Sequence, residues 1–173
     1  MVKFAKTTSI FNNLLRYAPI LLLFISVLND FDFNYLELKY FSFNFPFILI
    51  FYWSLKRSET LGYGLVFIAG LFNDVVTGFP IGVSSFAYLL ICVFSAYLKN
   101  ITLRPSVIKD WIFFSITILV VNSLMYSILV LFFSLHLDYN DLLVNLAFTF
   151  FLYFIFANIF EIYQKLVFGS SNV

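Results

Sequence analysis

The stretch Gly70-Leu71-Phe72-Asn73-Asp74-Val75-Val76-Thr77-Gly78-Phe79-Pro80-Ile81-Gly82 decides how the rest of the chain is read. It lies between apolar runs and departs from both. Gly70 stands four residues before Asp74 and Gly78 four after it, and the turn Pro80-Ile81-Gly82 then leads into a new apolar run. A carboxylate at the centre of a membrane helix costs about 2.5–3.5 kcal/mol, and less near the interface, so such a group usually has a partner or faces protein. Gly, Pro and Asp also mark ordinary solvated turns. Two readings follow: a solvated hairpin turn, or a fixed, partly buried turn that holds a helix hairpin or docks a partner. In the second, Gly70 and Asp74 share a helix face. The carboxylate then accepts hydrogen bonds from the backbone of the Thr77-Gly78 turn, as Asp commonly does about two residues on. Gly78 supplies a positive φ without steric cost, and Gly82 lets the following helix approach closely.

Composition places this turn in a membrane. Of 173 residues, 62% are hydrophobic and only 11% charged, with a mean hydropathy of +0.99. Soluble domains carry about 25% charged residues, so the chain reads as an all-α integral membrane protein, a single polytopic domain over residues 1–173. A net charge of +1 offers nothing to nucleic acid, and the single cysteine, Cys92, cannot form an internal disulfide.

Six spans are expected, at about 12–28, 40–55, 60–76, 81–98, 111–135 and 142–160. Before the first, Lys3, Lys6 and Arg16 and the spacing of Ile10, Phe11, Leu14 and Leu15 suggest a short interfacial helix. No small-residue cleavage site follows the first apolar run, which argues for an uncleaved anchor. Residues 29–42 alternate apolar and polar, a period of two that fits extended backbone. Pro46 suits the first turn of the second span, and Tyr52 and Trp53 suit its interfacial end. Lys56, Arg57 and Glu59 read as a short charged loop. The third span is short: 17 residues to Val76, or about 25 Å of helix. With small residues in both, the third and fourth spans are expected to pack most closely. In the fifth span Asn122, with Ser115, Ser123 and Ser127 around it, reads as a helix-bridging group, since such contacts typically contribute about 0.6 kcal/mol.

Charge sets the orientation. With the N-terminus in the cytoplasm and six alternating spans, Lys3, Lys6, Arg16, Lys56, Arg57, Lys99, Arg104, Lys109 and Lys165 fall inside, and only Lys39 falls outside. This is a strong positive-inside bias, and it puts both termini in the cytoplasm.

Little points to chemistry. There is one His, one Cys, and no HExxH or CxxC motif. His136, Asp138 and Asp141 lie with Asp74 on the outer side, where a metal or proton site competes with the simpler reading of solvated loops. Spans one, two, four, five and six hold no ionisable midplane residue of the kind a proton-coupled carrier needs. Neither catalysis nor a cofactor or metal is expected.

The central stretch, with what precedes it, resembles the rod shape-determining protein MreD family. In outline that family reads as a Pro, an apolar run ending near a Tyr-Trp pair, a short loop, and then GLΦxDxΦxGxxΦG, where Φ is apolar. The matching residues are Pro46, Tyr52, Trp53, Gly70, Leu71, Asp74, Val76, Gly78, Ile81 and Gly82, with Pro80 inside the turn. Asn73 stands where an apolar residue is common. The resemblance implies a bacterial inner-membrane subunit of the cell-elongation machinery. It would act with the partner MreC and, through it, with MreB, RodA and the transpeptidase, to direct peptidoglycan insertion without catalysis. Pro46, Trp53, Gly70, Leu71, Asp74, Gly78, Pro80 and Gly82 then form a structural or partner-binding motif. The alternative is the substrate-binding subunit of an energy-coupling-factor transporter for a vitamin-type molecule, which is similar in length and span number and to whose fold the chain would then be similar. Its AxxxA docking face is absent, because Leu22 stands four residues after Ala18.

Overall fold

A computed structural model describes residue 15 and residues 17–28, 43–101, 106–134 and 139–168. The expected interfacial helix before residue 15, the alternating segment 29–42, and His136 and Asp138 lie outside them. Six helices run through the described residues: α1 (Tyr17–Leu28), α2 (Phe45–Leu61), α3 (Tyr63–Thr77), α4 (Val83–Ile101), α5 (Val107–Phe133) and α6 (Tyr139–Phe168). Three stretches, Val83–Ile101, Val107–Phe133 and Asn140–Val167, are long and apolar enough to cross a membrane, and α1 and α3 are shorter apolar helices.

The fold is built around α2. Every residue from Phe45 to Leu55 is buried. A helix that is apolar all round is stable only when surrounded, and the run FPFILIFYW leaves α2 no polar face to turn outward. Pro46 lies in its first turn, where a missing N–H is harmless. The backbone N–H of Asn44, just ahead of the helix, donates to Thr149 Oγ1 on α6 at 2.9 Å. Around α2 the pairs α3–α4, α4–α5 and α5–α6 pack in succession. Phe24 of α1 meets Phe72 of α3 edge-on, and just ahead of α1 the carbonyl of Leu15 accepts the hydroxyl of Tyr163 on α6 at 2.6 Å.

Aromatic rings fill the interior. Phe114 stacks on Tyr153 with centroids 4.2 Å apart, and Phe51 sets its edge against both. Such pairs contribute about 0.5–1.5 kcal/mol beyond area burial, which matters where lipid offers no hydrophobic drive between helices.

Several expected boundaries shift, for one reason. Charge ends an apolar run but not necessarily a helix. The charged segment Lys56-Arg57-Ser58-Glu59 is not a loop: it continues α2 to Leu61, with Arg57 leaving helical geometry (φ −148°, ψ 78°). The reversal comes at Gly62 alone, whose φ is 64°. In the same way α4 runs on to Ile101, α5 begins at Val107 and so includes Lys109 and Asp110, and α6 continues through Glu161 and Lys165, which pair at 2.8 Å. Tyr52 and Trp53, expected at the interfacial end of the span, face the protein interior: they are 2% and 1% exposed, with Trp53 packed among Tyr52, Phe160 and Tyr163.

The helices differ in reach. The pairs Phe51–Phe114 and Lys56–Asp110 set the antiparallel register of α2 and α5. α5 has 27 residues against 17 in α2, about 40 Å against about 25 Å of helix at 1.5 Å per residue.

Candidate functional site: the Asp74 turn

α3 and α4 form the most closely packed helix pair among the described residues. Gly70 makes this approach possible. A Cβ placed on it would lie 2.4 Å from Ser85 Cα and 2.6 Å from Ser85 N, inside the backbone of α4. Ser85 uses the contact to donate its hydroxyl to the carbonyl of Phe67 at 3.0 Å. The close-approach role expected for Gly82 therefore belongs to Gly70, since a Cβ at Gly82 would meet nothing within 4 Å.

α3 ends as many helices do, on a glycine in left-handed geometry: Gly78 has φ 72°, ψ 19°. Pro80 follows two residues later, where a helix cannot resume. Thr77 donates its hydroxyl back to the carbonyl of Asn73 at 2.8 Å. The chain then turns through Ile81, 77% exposed, and Gly82, whose φ of 105° suits glycine, and α4 begins. Leu71 is half-buried on α3 beside this turn.

Asp74 joins the two helices. It is fully buried, at 0% exposure, deeper than the partial burial expected. Its Oδ2 accepts the backbone N–H of Gly82 at 2.7 Å, and its Oδ1 accepts that of Ser84 at 2.8 Å. The donors are thus at the start of α4, not in the Thr77-Gly78 turn. The reason lies in helix ends: the first N–H groups of a helix have no intrahelical partner, and they carry the positive end of its dipole. A carboxylate in the last turn of its own helix is disfavoured by that helix's dipole, and here the facing α4 terminus offsets this. Asn73 completes the clasp by donating Nδ2–H to Ser84 Oγ at 2.9 Å. Asn73 and Asp74 on α3 thus hold the first turn of α4 through three hydrogen bonds.

The structure brings Gly70, Asp74, Gly78, Pro80 and Gly82 together at one end of the α3–α4 hairpin. It does not bring Pro46 or Trp53 there, because both are packed in α2. Each Asp74 oxygen in the clasp accepts a backbone amide. Asp141 is exposed in the first turn of α6. Among the described residues no group of three or more His, Cys, Asp or Glu side chains is arranged to hold a metal.

A second polar contact escaped the sequence reading. Asp110, 4% exposed in the first turn of α5, accepts a hydrogen bond from Lys56 Nζ at 2.8 Å. The pair ties the far part of α2 to α5, and the acid sits at the favourable end of the α5 dipole. The signal was available, since Lys56 closes one uncharged run and Asp110 opens another on the same side of the expected topology.

The rod shape-determining protein MreD family model matches residues 11–167. No curated protein and no solved structure matches the chain.

Proposed function

The chain belongs to the rod shape-determining protein MreD family, and on that premise we propose that it is a non-catalytic, multi-pass subunit of the bacterial inner membrane that helps direct peptidoglycan synthesis during cell elongation. In this reading six spans cross the membrane with both termini in the cytoplasm. The nine-to-one distribution of basic residues supports that orientation. The Asp74 turn then faces outward and the Lys56–Asp110 pair faces the cytoplasm. MreC is the proposed direct partner, with MreB, RodA and the transpeptidase reached through it. The likeness to the energy-coupling-factor substrate-binding fold belongs to the same reading and rests on the number of short spans.

The observation that carries the proposal is the family match across nearly the whole chain. The clasped turn supports it: a protein whose polar side chains at its best-defined site are spent on holding helices together is built to present a fixed surface. Depletion in a rod-shaped bacterium that carries this protein is the test. Rounded cells with delocalised wall synthesis, and co-purification of MreC from native membranes, are expected. Persistent rod shape after clean depletion would overturn the proposal.

A further inference from the structure

α5 carries two faces. Phe114, Ile118, Val121, Met125 and Leu129 are buried against the rest of the protein. On another face lie Ile112, Ile116, Leu119, Ser123, Tyr126 and Val130. The first three are each about half exposed, Ser123 is exposed and Tyr126 half-buried. Their spacing is 4-3-4-3-4. Ile112, Leu119 and Tyr126 recur every seven residues, as do Ile116, Ser123 and Val130, which is the pattern of a parallel coiled-coil seam. Ile112, Ile116 and Leu119 are left open on this face, while Tyr126 packs partly against the core. In its later half the face forms one wall of a groove of about 650 Å³ between α5 and α6, lined by Leu119, Ser123, Tyr126 and Val130 and, on the α6 side, by Leu142, Leu143 and Leu146.

Asn122 gives the seam its polarity. It lines the groove near the middle of the uncharged run 111–135, and among the described residues its carboxamide has no hydrogen-bond partner. An unpaired amide at that depth is costly, because lipid offers neither donor nor acceptor. In the seven-residue register Asn122 precedes the seam position Ser123, and Ser127 follows the seam position Tyr126. Those are the two flanking positions that meet across a parallel helix pair, five residues apart. Ser127 already donates its hydroxyl to the carbonyl of Ser123 at 2.7 Å, which leaves its oxygen free to accept. Asn122 and Ser127 are therefore complementary across a parallel pair of α5 helices.

We propose that two copies of this chain pair through α5 about a two-fold axis along the membrane normal, with Asn122 of each copy donating to Ser127 Oγ of the other. Copies inserted in one orientation necessarily present α5 in parallel, and a two-fold axis makes the contact self-complementary. The pairing does not depend on the role in wall synthesis, so the shape assay and the test below fail separately.

The test is disulfide cross-linking in native membranes, with single cysteines introduced in a Cys92→Ala background. Dimers are expected from Ile116→Cys, Ser123→Cys and Val130→Cys, and not from Leu124→Cys, which is exposed but off the seam. In the Ser123→Cys background, Asn122→Leu is expected to lower dimer yield about threefold to tenfold, the range of polar contacts between membrane helices, whereas Asn122→Gln retains more of it. Ser127→Ala should lower yield likewise, which guards against a folding defect peculiar to Asn122→Leu. Equal cross-linking at Leu124 and Ser123, adducts only to a protein of another size, or no dimer at any seam position would overturn the proposal.

Discussion

Gly70 and Ser85 meet backbone to backbone: the space a Cβ would take on Gly70 is already occupied by Ser85 Cα, 2.4 Å away. The α3–α4 hairpin thus depends on the absence of one methyl group. Gly70→Ala must push the helices apart, and overpacking of this kind costs about 1–3 kcal/mol. Its membrane abundance and its thermal midpoint in detergent should both fall. Gly64→Ala on the same helix, where a Cβ meets nothing within 4 Å, should be neutral or slightly stabilising.

The Lys56–Asp110 pair sits between the exposed and the buried regimes, with side chains 26% and 6% exposed. Exposed pairs are worth about 0–1 kcal/mol and breaking a buried one costs about 3–5 kcal/mol, so Asp110→Ala should cost an intermediate amount, about 1–3 kcal/mol. The charge swap Lys56→Asp with Asp110→Lys should recover only part of it. The swap restores the attraction but places a cation at the α5 N-terminus, against its dipole. Thermal midpoints of the single and double variants in detergent measure this, and full recovery in the swap would show that the dipole contributes nothing there.

Orientation is open to a labelling measurement. Single cysteines at Asn34 and Asn140 should react with an impermeant reagent added outside intact cells, and one at Ser106 should not. External reaction at Ser106 would reverse the assignment.

Much of this architecture was legible from spacing and charge. The αL glycine at Gly78, the early-turn proline at Pro46 and the close α3–α4 pair follow from local chemistry that acts within a few residues. What was not legible required knowing which helices face each other. Asp74 could be recognised as needing partners, but nothing in one sequence says that Gly82 and Ser84 provide them, because capping across a turn depends on where the next helix begins. Likewise α2 was readable as apolar, but its central place was not inferred, although its lack of a polar face was the available clue. Asp110 falls just outside the expected span 111–135 because a charge ends an apolar run, whereas the helix simply continues through it.

The claim that Asp74 clasps the α3–α4 hairpin is tested most directly by comparing Asp74→Leu with Asp74→Asn. Leucine leaves the Gly82 and Ser84 amides buried without an acceptor, at about 1–3 kcal/mol for each unsatisfied group. Asparagine keeps one carbonyl acceptor but turns an NH₂ toward the other amide, so it preserves at most one of the two bonds. The measurement is membrane abundance together with the thermal midpoint in detergent. The order wild type, then Asp74→Asn, then Asp74→Leu is expected in both. An Asp74→Leu protein as abundant and as stable as wild type would contradict the account, because the turn would then hold without its carboxylate.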